Sequence, residues 1–189
     1  KKTLYDGLSG RTPWHQDAGV LSEKGQKHTD LITCWVPFTK TTKKNGCMIT
    51  VPGLQKKGLF NHDADLKGQA YIRNSELLNK LKTVALEANP GDIVLLSKHT
   101  VHCSLPNISN NFRISMDLRY HKSGQPSGRE LLPNFCVRSK NKKNIKIYNF
   151  KQWLAIWEKA KHKCVPKKHT FKYQTPTFKG KKRDLVNLI

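Results

Sequence analysis

Nine consecutive residues, Phe112 to Tyr120, alternate apolar and polar without a break. Phe112, Ile114, Met116, Leu118 and Tyr120 hold the even positions, and Arg113, Ser115, Asp117 and Arg119 the odd ones. A period of two is the signature of a β-strand, because successive side chains leave opposite faces of a sheet. The four polar residues therefore share one face. On an ordinary sandwich strand that face meets solvent, whereas in a barrel with a polar interior it lines a pocket.

The chain from 31 to 121 is punctuated in the same style. Leu31–Val36 and Cys47–Val51 are apolar runs separated by Lys43-Lys44-Asn45-Gly46, whose Asn-Gly pair is a strong hairpin signal. Pro52-Gly53 closes the second run. Thr83–Ala88 and Ile93–Leu96 flank the turn Asn89-Pro90-Gly91-Asp92, and residues 75–83, with Ser75 near the cap, predict a short helix. After 121 the pattern changes. Residues 123–129 form a turn-rich loop, then Phe150, Trp153, Leu154 and Trp157 recur at helical spacing and predict an amphipathic helix over 149–163, packed outside the sheets. The expectation is a mostly β domain over residues 1–164 with a few flanking helices, followed by a Lys-rich extension over 165–189.

A length of 189 residues suits one domain, and 37% hydrophobic content is enough for a core. No apolar run approaches the roughly 18 residues of a membrane span. Lys1-Lys2-Thr3-Leu4 leads into polar sequence rather than the apolar stretch of a secretory signal. Five cysteines without a CxxC spacing read as buried thiols in a reducing, cytoplasmic compartment. The formal net charge of +22 asks for an anionic partner, such as nucleic acid or a phosphate-bearing or coenzyme A-linked substrate. The cations, however, are 28 lysines against seven arginines, dispersed along the chain. Readers of nucleic acid draw on the planar arginine fork, so the charge reads more as compositional bias, and nucleic acid is a possible partner but not the favoured one.

Two separated segments carry the chemistry. His15 and Asp17 stand two apart, so on an extended segment both side chains point the same way and can grip one metal ion. A neutral nitrogen and an anionic oxygen suit Fe(II) or Mn(II), and a second histidine completes a facial triad that leaves coordination positions open. His102 is the favoured third ligand, because Val101-His102-Cys103-Ser104 runs toward the Arg113 strand; His99 is the competitor. Arg113 offers a two-pronged contact to the far carboxylate of a dicarboxylic co-substrate, with Ser104 as an added hydroxyl. Asp117 and Arg119 are candidate pocket residues on the same face, or else a structural ion pair.

Taken in order, His15-Gln16-Asp17, Trp35-Val36-Pro37, Asn45-Gly46, Pro52-Gly53, Gly91-Asp92, His102, Asn107, Ser109 and Arg113 resemble the phytanoyl-CoA dioxygenase family over about residues 10–160. The resemblance implies a double-stranded β-helix, the cupin-like jelly-roll, with a metal near one open end. It implies an Fe(II)- and 2-oxoglutarate-dependent dioxygenase that uses O2, with His15, Asp17 and His102 as iron ligands and Arg113 and Ser104 on the distal carboxylate. Gln16 and Trp35 would lie beside the co-substrate. Halogenating relatives replace the carboxylate ligand with a small residue, so Asp17 favours hydroxylation of a small organic molecule. The alternatives are an oxygenase acting on nucleic acid or another anionic macromolecule, and a non-catalytic binding module on the same fold. Two departures stand out. Leu54-Gln55 takes the place where the family usually has Ser-His, and only 14 residues precede His15, so the usual N-terminal part is expected to be truncated or reduced.

Overall fold

The computed structural model describes residues 11–64, 69–140 and 148–164; the segment 1–10 and the extension 165–189 lie outside the described residues. The described chain is mostly β. Strand β1 (Ile32–Pro37) is followed by β2 (Met48–Thr50), β3 (His62–Ala64), β4 (Ala70–Ile72), β5 (Val84–Leu86), β6 (Val94–Ser97), β7 (His102–Ser104) and β8 (Ser115–Tyr120). Helix α1 (Glu23–His28) precedes β1, and α2 (Phe150–Cys164) follows β8. Three short 3-10 turns, at Asp17–Val20, Leu54–Lys57 and Ser75–Lys80, complete the set.

The strands form two three-stranded antiparallel sheets, β6-β1-β8 and β5-β2-β7, and a separate β3-β4 hairpin. From β5 onward the chain passes from one sheet to the other at each strand. The sheets meet through Trp35 and Leu96 of the first and Met48 of the second, with Ala88 between them and Leu86 and Val94 packed against the cluster. A second cluster gathers Trp14, Val51, Phe60, Ile72, Leu78, Val101 and Cys103 beneath the β3-β4 hairpin.

Register decides which side chains of the first sheet look inward. Thr33 lies opposite Leu96 on one neighbour and Arg119 on the other, and Trp35 lies opposite Val94 and Asp117. Directly opposed residues share a face. Buried Thr33, Trp35 and Leu96 therefore carry Asp117 and Arg119 to the inner side. The outer face is apolar and open: Ile32, Leu95, Ile114, Met116 and Tyr120 are all exposed. The 112–120 alternation is thus polar side in and apolar side out, and its strand begins at Ser115, leaving Arg113 in the approach to β8.

The helix expected at 75–83 is a six-residue 3-10 turn that ends at Lys80, entered through Asn74 in a left-handed conformation (φ 57°). The helix expected at 149–163 is α2, and Phe150, Trp153, Leu154 and Trp157 on it remain partly exposed. The turn-rich loop at 123–129 has a definite purpose. The Ser22 amide donates to Gly128 O at 2.8 Å and the Asp30 amide to Gln125 Oε1 at 2.9 Å, so the loop clasps both ends of α1. A Cβ on Gly25 would stand 2.3 Å from the Gly128 Cα, and only paired glycines allow that approach.

Candidate metal centre

The segment 12–17 is an added edge on the second sheet. The His15 amide donates to His102 O at 2.9 Å, the His102 amide returns a bond to His15 O at 3.1 Å, and the Ser104 amide donates to Thr12 O at 3.0 Å. On its other side the Ile72 amide donates to Trp14 O. Residues 12–16 are therefore held extended between β7 and β4, and the chain turns only at Asp17. This geometry brings His15, Asp17 and His102 together, with one ligand atom of each within 4.8 Å of the others. His99 does not join them. Its carbonyl instead accepts from the Gln16 side chain.

Both imidazoles are pinned from behind. His15 Nδ1 lies 2.9 Å from Pro13 O, and His102 Nδ1 lies 2.9 Å from Thr100 O. A carbonyl can only accept, so each Nδ1 carries a proton and Nε2 is left as the nitrogen available to a metal ion. The rings stand 4.2 Å apart, and His15 Nε2 is 3.9 Å from Asp17 Oδ1. Asp17 is buried, with Oδ2 accepting from the Thr33 hydroxyl at 2.6 Å and Oδ1 from Arg119 Nη2 at 3.0 Å. Thr33 and Arg119 can both reach it because the β1–β8 register sets them side by side.

The electrostatics follow from these neighbours. Burial, then the nearby His102, push His15 down from 6.5 to about 4, against the opposing pull of Asp17. Burial raises Asp17, but Arg119, His102, the Thr33 hydroxyl and His15 together outweigh it and hold the carboxyl below its ordinary range. At neutral pH the site therefore holds a neutral His15 imidazole beside the Asp17 carboxylate. Those are the protonation states a divalent cation requires.

Acid should therefore destabilise the metal-free fold in two steps. The unfolded chain takes up the His15 proton near 6.5 and the folded chain only near 4, so stability is complete above that window and falls as pH drops through it. Asp17 acts lower: its contribution is present above its unfolded value of 3.8 and is lost below it. Urea unfolding between pH 7 and 4 should show a fall on the order of 3 kcal/mol, the upper limit set by the His15 shift, and His15→Gln should remove most of it. His99, also lowered by burial, accounts for a residual slope.

The other expected site residues fall into two groups. Arg113 stands over the Trp35 ring, 5.9 Å from its centroid, and donates to Ser115 Oγ at 2.9 Å. A guanidinium seated on an aromatic face, on the inner side of the sheet, keeps donors for a carboxylate. Ser104 is buried, and its hydroxyl accepts from the Thr12 amide at 2.7 Å while retaining a proton to donate. Gln16 is fully buried with its amide engaged by backbone. Nε2 donates to Gly58 O and His99 O, both at 2.8 Å, and Oε1 accepts from the Phe60 amide at 2.9 Å. From its place between His15 and Asp17 it ties the loop of Gly58 and Phe60 to the turn of His99.

Sequence reasoning missed His62 and Thr33. His62 Nε2 accepts from the Gln16 amide at 3.1 Å while Nδ1 lies 2.9 Å from Phe60 O, and Gly19 leaves room for the ring, since a Cβ there would come 2.4 Å from it. No spacing rule links residues 46 apart. The inward position of Thr33 was legible once β1 was paired with β8, but not from β1 alone.

Residues 5–115 match the model of the phytanoyl-CoA dioxygenase (PhyH) family, more than half of the sequence, and the chain belongs to that family. A Dictyostelium discoideum phytanoyl-CoA dioxygenase domain-containing protein 1 homolog is 34% identical over 122 residues, covering 60% of this chain and 41% of that protein. A 2-aminoethylphosphonate dioxygenase from an uncultured bacterium is 30% identical over 118 residues, covering 62% and 42%. Among solved structures, the apo form of the non-heme monooxygenase ThoJ aligns with a TM-score of 0.49 at 24% identity, over 62% of this chain and 42% of that one. The chain thus spans about two fifths of the length of these curated relatives. Among the described residues no helix is long and apolar enough to cross a membrane.

Proposed function

We propose that this chain is the core of an Fe(II)- and 2-oxoglutarate-dependent dioxygenase that hydroxylates a small organic molecule, built on a double-stranded β-helix. The observation that carries the reading is the pair of imidazoles locked by Nδ1–H···O=C bonds, with their ligand atoms gathered beside one buried carboxylate. Second partners of this kind fix the tautomer and aim of metal-binding histidines. The alternation of the strands between two sheets suits the β-helix, and the family relationship supports the reaction class.

In this reading His15, Asp17 and His102 hold the metal, Arg113 and Ser104 receive the distal carboxylate of 2-oxoglutarate, and Trp35 walls that co-substrate. When bound, iron with 2-oxoglutarate and O2 supplies the oxidising chemistry, with succinate and CO2 as by-products. The protein supplies aim and exclusion of water. Burial and its neighbours keep His15 neutral and Asp17 ionised, and the inner β8 face keeps cations and a carboxylate ready to orient the molecules that enter. Substrates named for relatives include 2-aminoethylphosphonate and 1-deoxypentalenic acid, both small and acidic. A small organic acid is the substrate class we favour, and the free thiols Cys34, Cys47, Cys103 and Cys136 suit a reducing compartment.

The test is anaerobic addition of Fe(II) and then 2-oxoglutarate, watched by the weak visible charge-transfer band of the ternary complex. The band should form in the wild-type chain. Arg113→Ala should still take up metal but need at least tenfold more 2-oxoglutarate, as expected when a charge-assisted hydrogen-bond pair of about 1.5–3 kcal/mol is lost. A folded protein that binds Fe(II) and shows no band at any 2-oxoglutarate concentration sinks the dioxygenase reading and leaves a binding module.

A further inference from the structure

We propose that Arg119 is the resident counter-cation of the metal-facing oxygen of Asp17, holding that oxygen in the metal-free site and giving it up when a divalent metal enters. The proposal rests on the metal-site reading above. The two carboxylate oxygens of Asp17 are not equivalent. Oδ2 receives the Thr33 hydroxyl at 2.6 Å, on the side of the sheet. Oδ1 lies 3.9 Å from His15 Nε2, and it is also the oxygen that receives Arg119 Nη2 at 3.0 Å. A metal gripped by all three side chains uses Oδ1 while Thr33 keeps Oδ2. Two cations then claim one oxygen.

Which partner yields follows from the anchoring. Asp17 is 1% exposed and begins a 3-10 turn tied to the 97–100 loop by the Ala18 amide bond to Lys98 O. Arg119 is 39% exposed and reaches Asp17 from the edge strand β8, with room for its side chain to swing outward. Without Arg119, the buried carboxylate would keep one hydroxyl hydrogen bond to offset its lost hydration, and an uncompensated buried charge is costly. With it, the ligand stays ionised and aimed, at the expense of repulsion between the guanidinium and an incoming cation. Arg119 is thus a positioning residue that sets how tightly the site holds metal, not a ligand.

The experiment uses the full chain, Arg119→Gln, which keeps a hydrogen-bond donor without charge, and Arg119→Lys, which keeps the charge. Mn(II) binding is followed by electron paramagnetic resonance, and phenylglyoxal labelling of Arg119 in the wild-type chain is mapped by mass spectrometry with and without saturating Mn(II). Arg119→Gln should bind Mn(II) about tenfold tighter, the effect of removing roughly 1.4 kcal/mol of charge repulsion. Arg119→Lys should match the wild type, and Arg119 labelling should accelerate when Mn(II) is bound. Equal or weaker binding by Arg119→Gln, or labelling indifferent to bound Mn(II), overturns the proposal. If no variant and not the wild type takes up Mn(II), the proposal falls with the metal-site reading. Labelling of the metal-free wild type against Asp17→Asn separates that failure, since it reports the Arg119–Asp17 pair directly.

Discussion

Gln16→Ala should cost on the order of 3–5 kcal/mol of folding stability, because it leaves a buried amide without a partner at about 1–3 kcal/mol and two part-buried carbonyls at about 1 kcal/mol each. That is a large share of the roughly 5–15 kcal/mol that holds an ordinary domain together. The bonds at risk join Gly58 and Phe60 on one loop to His99 on another, across a residue with no exposed surface. Urea unfolding of the metal-free protein measures the loss. Gln16→Leu refills the volume without restoring the bonds, so it should be almost as destabilised. A leucine variant of wild-type stability would mean that filling the space matters and the hydrogen bonds do not.

The second large effect concerns the metal. His102→Ala should weaken divalent metal uptake well beyond the roughly 10–100-fold that follows loss of an outer-shell partner. His99→Ala should leave it unchanged, although the two histidines are three residues apart. Isothermal titration of both variants with Mn(II), with circular dichroism to confirm folding, is the measurement. The contrast comes from the fold. His102 is the first residue of β7 and faces His15 across a two-bond bridge, whereas His99 lies in the preceding turn with its carbonyl serving Gln16. Equal losses in the two variants would mean that the turn and not the ring matters.

These contrasts show what was legible in the chain and what was not. The period-two run placed Arg113, Ser115, Asp117 and Arg119 on one face, and β8 bears this out from Ser115 onward. Strand placement succeeded where apolar runs were bounded by turns, as at β1, β2, β5 and β6. It failed for β3, β4 and β7, whose residues His62-Asp63-Ala64, Ala70-Tyr71-Ile72 and His102-Cys103-Ser104 belong to no apolar run bounded by turns, whereas β2 and β5, equally short, sit inside longer ones. Helix α1 was missed for a different reason. Its sequence Glu23-Lys24-Gly25-Gln26-Lys27-His28 has no apolar stripe, and its support comes from the distant 123–129 loop and from Lys98, whose Nζ donates to Gln26 O and Thr29 O. The His15-x-Asp17 pair was readable as a motif, but the partners of Asp17 lie 16 and 102 residues away, and only strand register could supply them. Of the two readings left open for Asp117 and Arg119, pocket residues or an ion pair with each other, Arg119 turns its charge to Asp17.

The inverted alternation of β8 changes how the strand should answer to random substitution. In most half-buried strands, tolerance follows polarity: apolar positions resist change and polar ones accept it. Here the phase is reversed. Substitution profiles across 113–120 should dip at Arg113, Ser115 and Arg119, whose side chains hold partners on the inner face, and rise at Ile114, Met116 and Tyr120, which hold little of the described core. Hydrophobicity would be a misleading guide to constraint along this stretch, and charge the better one.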